Sequence, residues 1–113
     1  TASLRQALAA WESAWESLDS ADYLAFYATE FSDLRRNKAQ WADYKQKINA
    51  EKSFIDVEVS EVSMLVEPAL PAVVNVRFQQ NYASDNYRWQ GTKQQLWRQD
   101  ADGWKIIYEG DYF

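Results

Sequence analysis

Histidine and cysteine are both missing from this 113-residue chain, and each absence closes off chemistry. Without imidazole, acid–base work falls to carboxylates, Tyr or Lys. Without thiols there is no Cys nucleophile, and zinc, copper or haem sites would lack their usual ligands. No cofactor or metal is therefore expected. The missing Cys fits a reducing or an oxidising compartment equally. Glycine is scarce, with none before Gly91, and there are only two prolines. Long apolar runs are absent too: the longest uncharged one, Pro68 to Val76, is far too short to span a bilayer, so no membrane insertion is expected. Basic charge is also short. A net charge of −5 lacks the positive stripe that a nucleic-acid surface needs. The chain opens on Thr1 with no basic-then-apolar leader and no Met, and so reads as an excised domain or a processed product.

What the chain does have is aromatic area: six Trp, seven Tyr and five Phe. Rings of this kind offer large, stiff, half-polar surfaces. With 47% apolar and 26% charged residues, the length suits one globular domain spanning residues 1–113. The composition leans toward holding something rather than converting it.

The first half carries a helical period. Leu4, Leu8, Trp11, Trp15 and Leu18 form one stripe. Asp19-Ser20 ends it and offers an N-cap to a short helix where Tyr23, Phe26 and Tyr27 share a face. Asn37 caps a third helix, with Trp41, Tyr44 and Ile48 as its buried stripe and Lys38, Lys45, Lys47 and Glu51 left wet. From Phe54 the period becomes two. Ile55, Val57 and Val59 alternate with polar residues, then Val62, Met64 and Val66 take the opposite phase, which predicts a β-bulge near Ser60-Glu61. Pro68 and Pro71 bracket a loop. Further strands are predicted from about Ala72 to Ser84, Tyr87 to Gln99 and Trp104 to Phe113, with turns at Asp85-Asn86 and Asp102-Gly103. The fold class expected is α+β: three N-terminal helices packed on a strongly curved four-stranded antiparallel sheet, making a cone with an internal cavity.

Centring the hairpin turn on Asp85-Asn86 sets Tyr82 opposite Trp89, Gln80 opposite Gly91, Phe78 opposite Lys93, Val76 opposite Gln95 and Val74 opposite Trp97. An even-length final turn would carry the same inward face onto Ile106 and Tyr108. The other face collects Arg77, Gln79, Asn81, Arg88, Gln90, Thr92, Gln94 and Arg98, and is either solvated or a homodimer surface. Apolar walls with a few convergent polar groups make a small-molecule site. The ligand candidates are Tyr27, Phe78, Gln80, Tyr82, Trp89, Lys93, Gln95, Trp97 and Tyr108, with Tyr112 as a further contact. The plainer alternative is that Lys93 snorkels to the rim and the glutamines bond to backbone. No second acid is evident on the inward face. Asp33 is a charged connector residue, and such a residue is usually just solvated.

The run from Trp11 to Phe31, with Asp19, Tyr23, Phe26 and Tyr27 in place, resembles the opening of the nuclear transport factor 2-like (SnoaL-like) superfamily. The ending, Lys93 to Trp97 and then Asp102-Gly103-Trp104-Lys105-Ile106-Ile107, resembles its final hairpin. This resemblance implies the same cone-shaped fold, which hosts enzymes, binders and scaffolds alike. Asn37 to Ile48, and the strand with Phe78, Gln80, Tyr82, Ser84 and Asp85, resemble domains appended C-terminally to bacterial L,D-transpeptidase-like cell-wall enzymes. That narrower resemblance implies a periplasmic or secreted, non-catalytic accessory domain of a cell-envelope protein. It would bind a small molecule or peptidoglycan-related segment in the cone, or mediate dimerisation. An isomerase or dehydratase of the SnoaL-like kind, using Asp33 with Tyr27 or Tyr108, is one alternative. A purely structural protein–protein module is the other.

Overall fold

The computed structural model describes residues 2–66, 68–70 and 72–111. Helices α1 (Ala2–Glu16), α2 (Ser20–Leu24) and α3 (Lys38–Ala50) precede strands β1 (Ile55–Val66), β2 (Val73–Ser84), β3 (Arg88–Asp100) and β4 (Gly103–Asp111). The strands form one antiparallel meander in the order β1-β2-β3-β4, and the helices cover its concave face.

Local chemistry sets the helix ends. Past α1 the backbone turns left-handed at Leu18 (φ 65°), and Asp19 then caps α2 by accepting from Asp22 N at 3.1 Å. α3 opens with a capping box in which Asn37 and Gln40 each accept the other's backbone N–H at 2.9 Å. Its face differs from the expected one. Trp41 is buried, but Tyr44 is exposed and Asn49 is buried instead. Lys38 and Lys45 are half-buried rather than wet. Lys45 lays its ammonium about 5 Å over the Trp15 and Trp41 rings (5.0 and 4.9 Å), and Lys38 donates to the Tyr27 carbonyl at 2.6 Å.

The β2–β3 register is the one that the Asp85-Asn86 turn dictates, Tyr82 facing Trp89 and Val74 facing Trp97. β1 has the expected bulge: its pairing slips between Ser60 and Ser63, with Glu61 at φ 52°. A second slip, absent from the sequence reading, lies in the last hairpin. Trp97 pairs with Ile106 but Leu96 with Tyr108, so Ile107 is the extra residue. Ile106 stays inward. Tyr108 passes to the outer face, where its hydroxyl lies against Gly110, and Glu109 turns inward opposite Gln95.

Each sheet edge is partly capped by the helical layer. Along β4, Ala28 N donates to Ile106 O and Ile106 N to Phe26 O, which seats Tyr27 against Ile106. Along β1, Val57 N donates to Glu16 at 3.0 Å, and Glu12 accepts from the Val59 backbone. The core between the layers is built from Leu4, Leu8, Trp11, Tyr27, Phe31, Val76, Phe78, Trp97 and Ile106.

Candidate functional site

The apex of the cone is filled and its open end is not. Deep inside, Trp11, Tyr27, Phe78 and Trp97 are buried against one another. Around them runs a polar network that ends on Glu109, a carboxylate only 2% exposed. Tyr27 Oη donates to Glu109 Oε1 at 2.8 Å and accepts from Trp11 Nε1 at 3.1 Å. Its single proton is thereby used, so in the 2.9 Å contact between the two tyrosine hydroxyls Tyr23 is the donor. From the other side Trp97 Nε1 donates to Gln95 Oε1 at 2.8 Å. This fixes the Gln95 amide so that its Nε2 donates to Glu109 Oε1, also at 2.8 Å. The second oxygen, Oε2, lies 3.8 Å from Lys93 Nζ. Burial, reinforced by the Glu109 charge, holds both tyrosine hydroxyls well above their ordinary pKa.

This arrangement overturns two expectations. Tyr108 is not an inward group, because the Ile107 bulge turns it away. An acid does occupy the inward face, and it is Glu109. It does not border the cavity, however: its Oε1 already takes two donors, and it serves as the counter-charge beneath Lys93.

The open end is a cavity of about 600 Å³ between α3 and the β2–β3 hairpin. Trp15, Tyr82, Trp89, Tyr44 and Tyr87 supply its aromatic walls, with Ile48 beside them. Gln80, Asn49, Asn86 and Lys93 give polar groups, and Lys45, Lys52 and Glu51 stand toward α3 and its C-terminal end. The Trp89 indole folds across Gly91, where any Cβ would meet the ring at 2.8 Å. A clamp borders the mouth. Asp85 accepts from Ser53 N, Phe54 N and the Ser53 hydroxyl, and Lys52 donates to Asn86. Those bonds hold the Asp85 carboxyl down at about 2.

Of the sequence candidates, Gln80, Tyr82, Trp89 and Lys93 border this cavity together. Tyr27, Phe78, Gln95 and Trp97 lie in the packed apex instead. Asp33 is in neither place. Its Oδ1 accepts from Arg35 N and Arg36 N, and its other oxygen pairs with the Arg36 guanidinium at 3.2 Å, so it ties the turn before α3. Tyr112 lies outside the described residues. The α3 wall was missed because Lys45 reads as solvent-facing and Asn49 gives no apolar signal. No metal-ligating cluster of three acidic groups occurs among the described residues.

Comparison with known proteins agrees with this fold. The family of Cds6 C-terminal NTF2-like domains matches residues 3–110. No significant match is found among curated protein sequences. Bd1075 of Bdellovibrio bacteriovorus superposes with a TM-score of 0.86 at 26% identity, over 97% of this chain and 39% of that one. A mutant of the helical cell shape determining protein Pgp2 from Campylobacter jejuni gives 0.84 at 27% identity, over 91% of this chain and 37% of that one. This chain thus spans less than two fifths of either protein. A candidate dehydratase of the NTF2-like family from Streptomyces avermitilis shares the fold at 15% identity, with a TM-score of 0.78 over 95% of this chain and 90% of that one. Enzymes and non-enzymes share this fold.

Proposed function

The chain belongs to the family of Cds6 C-terminal NTF2-like domains, and from that premise we propose that it is a non-catalytic accessory domain of a bacterial cell-envelope protein. It binds a small cell-wall fragment in the open end of its cone. The observation that carries this reading is the cavity itself: about 600 Å³ of space walled by Trp15, Tyr82 and Trp89 and edged by lysines and amides. That volume falls within the roughly 300–1,000 Å³ of small-ligand sites. The likeness to a cell-shape protein supports an envelope setting, periplasmic or secreted, next to a cell-wall enzyme of the L,D-transpeptidase kind. The outer sheet face, with Arg77, Gln79 and Gln94, is the surface offered for pairing with a second copy.

A catalytic reading has one observation in its favour, the Tyr27–Glu109 pair inside the cone. Both groups are buried and neither borders the cavity, so the binding reading is preferred. The test is titration of a muramidase digest of bacterial cell wall into the chain, followed by calorimetry. Binding should fall at least about fivefold in Trp89→Ala, since stacking on one ring contributes about 1–3 kcal/mol. Undiminished binding by that variant would remove the cavity from the account.

A further inference from the structure

α3 is held unequally along its length. Its N-terminal end is fastened. Asn37 closes the capping box and bridges to Ser32, and Lys38 donates to the Tyr27 carbonyl at 2.6 Å. Trp41 packs on Phe31 and Tyr27, with ring centroids 5.0 and 5.6 Å apart. Beyond Ala42 the apolar anchorage is lost. Tyr44 is exposed and Ile48 half-buried, and the one buried side chain is Asn49, whose carbonyl oxygen has no hydrogen-bond partner among the described residues. Where a packed core would lie, Tyr44, Lys45, Ile48 and Asn49 border the cavity of about 600 Å³.

The far end of the helix is tied down by the clamp. Ser53 N and Phe54 N donate to Asp85 Oδ1 at 2.9 and 3.2 Å, the Ser53 hydroxyl donates to Oδ2, and Lys52 donates to Asn86. These bonds join the link between α3 and β1 to the β2–β3 turn. Ser53, Phe54, Asp85 and Asn86 are all exposed, so water competes for the bonds they make. A segment with few buried apolar contacts, held at one end by exposed hydrogen bonds, opens more easily than the core.

We propose that α3 is a hinged cover over the cavity, pivoting at residues 37–41, with Asp85 as the catch that holds its far end against the β2–β3 turn. When the catch releases, the helix from Tyr44 onward lifts, Lys45 leaves the Trp15 ring and the mouth widens. Residues 51–54 absorb the change in backbone direction. The catch thereby sets how fast the cavity fills and empties, whatever it takes, and the motion is measurable with no ligand present.

The Trp15 indole N–H reports that motion. It is buried with no hydrogen-bond partner among the described residues, and the Lys45 ammonium lies 5.0 Å over its ring. Hydrogen exchange is followed by 15N NMR in the wild-type chain and in Asp85→Ala. The Trp15 indole should exchange about fivefold faster or more in the variant, because opening controls the exchange of a buried N–H. The Trp41 indole, buried without a partner at the pivot, should keep its rate, as should those of Trp11 and Trp97 in the apex. Asp85→Asn keeps an acceptor for the two backbone donors and should fall between. Ser53→Ala removes one bond of the catch and should give the same pattern at about twofold, which decides the matter should Asp85→Ala not fold. An unchanged Trp15 rate in the folded variants would overturn the catch. Trp41 quickening as much as Trp15 would overturn the pivot. Equal quickening of all four indoles would mean a clamp that only stabilises the whole fold, and the cover would be overturned.

Discussion

Five side chains direct their protons toward Glu109: Tyr23 and Trp11 through Tyr27, and Trp97 through Gln95. Among the described residues, Lys93 is the cation that answers its charge. Removing either member of a buried pair leaves the other uncompensated, which costs about 3–5 kcal/mol when both are sealed. Lys93 reaches the cavity and can hydrate, whereas Glu109 cannot. In urea denaturation, Lys93→Met should therefore cost about 3–5 kcal/mol and Glu109→Gln less, about 2–3 kcal/mol. The reverse order would show that Lys93, not Glu109, is the sealed partner. The tyrosines give a pH signature. Tyr23 and Tyr27 have folded-state pKa values raised above the unfolded value of about 10. The folded state thus keeps protons that the unfolded state gives up. Stability from these two groups is complete below about pH 10 and is lost as pH rises above it. Spectrophotometric titration should show two tyrosines ionising only with unfolding.

At the scale of elements, legibility depended on whether a distortion left a mark in the sequence. The β1 bulge did, because the apolar phase slips from Val59 to Val62. The β2–β3 register did, because Asp85-Asn86 fixes the turn. The β4 bulge left almost none. Ile106, Ile107 and Tyr108 form an unbroken apolar run that shows no slip, and only the acid that follows at Glu109 hints that the strand has turned over. The α3 wall was hidden for another reason: amphipathic Lys45 packs its stem inward while reading as a surface charge. The β1 edge carries its own prediction. Glu12 accepts from Val59, yet burial, followed by the charges of Glu16, Asp56 and Glu58, raises its pKa. Its ionised form is therefore disfavoured in the folded state, and its contribution to stability is lost as pH rises through that pKa. Glu12→Gln keeps the acceptor and drops the charge. At pH 7 it should raise stability by about a few tenths of a kcal/mol, small because the site is only half-buried and solvent screens its charge. A lower melting temperature would contradict the repulsion.

Over the whole molecule, aromatic rings divide into two populations. Trp11, Tyr27, Phe78 and Trp97 close the apex of the cone, while Trp15, Tyr82 and Trp89 wall the open end. The first group explains why the chain folds around a buried carboxylate without His or Cys. The second leaves an open cavity whose rim carries Lys45, Lys52 and Lys93 beside Gln80 and Asn49. The most direct measurement is a two-dimensional 15N NMR titration with muramidase-digested cell wall, following indole and backbone signals. The account predicts saturable shifts at the Trp15 and Trp89 indoles and at Gln80, Lys93 and Asn49, with the Trp11 and Trp97 indoles unmoved. Shifts confined to the outer face, at Arg77, Gln79 and Gln94, or no saturable shift at all, would contradict it.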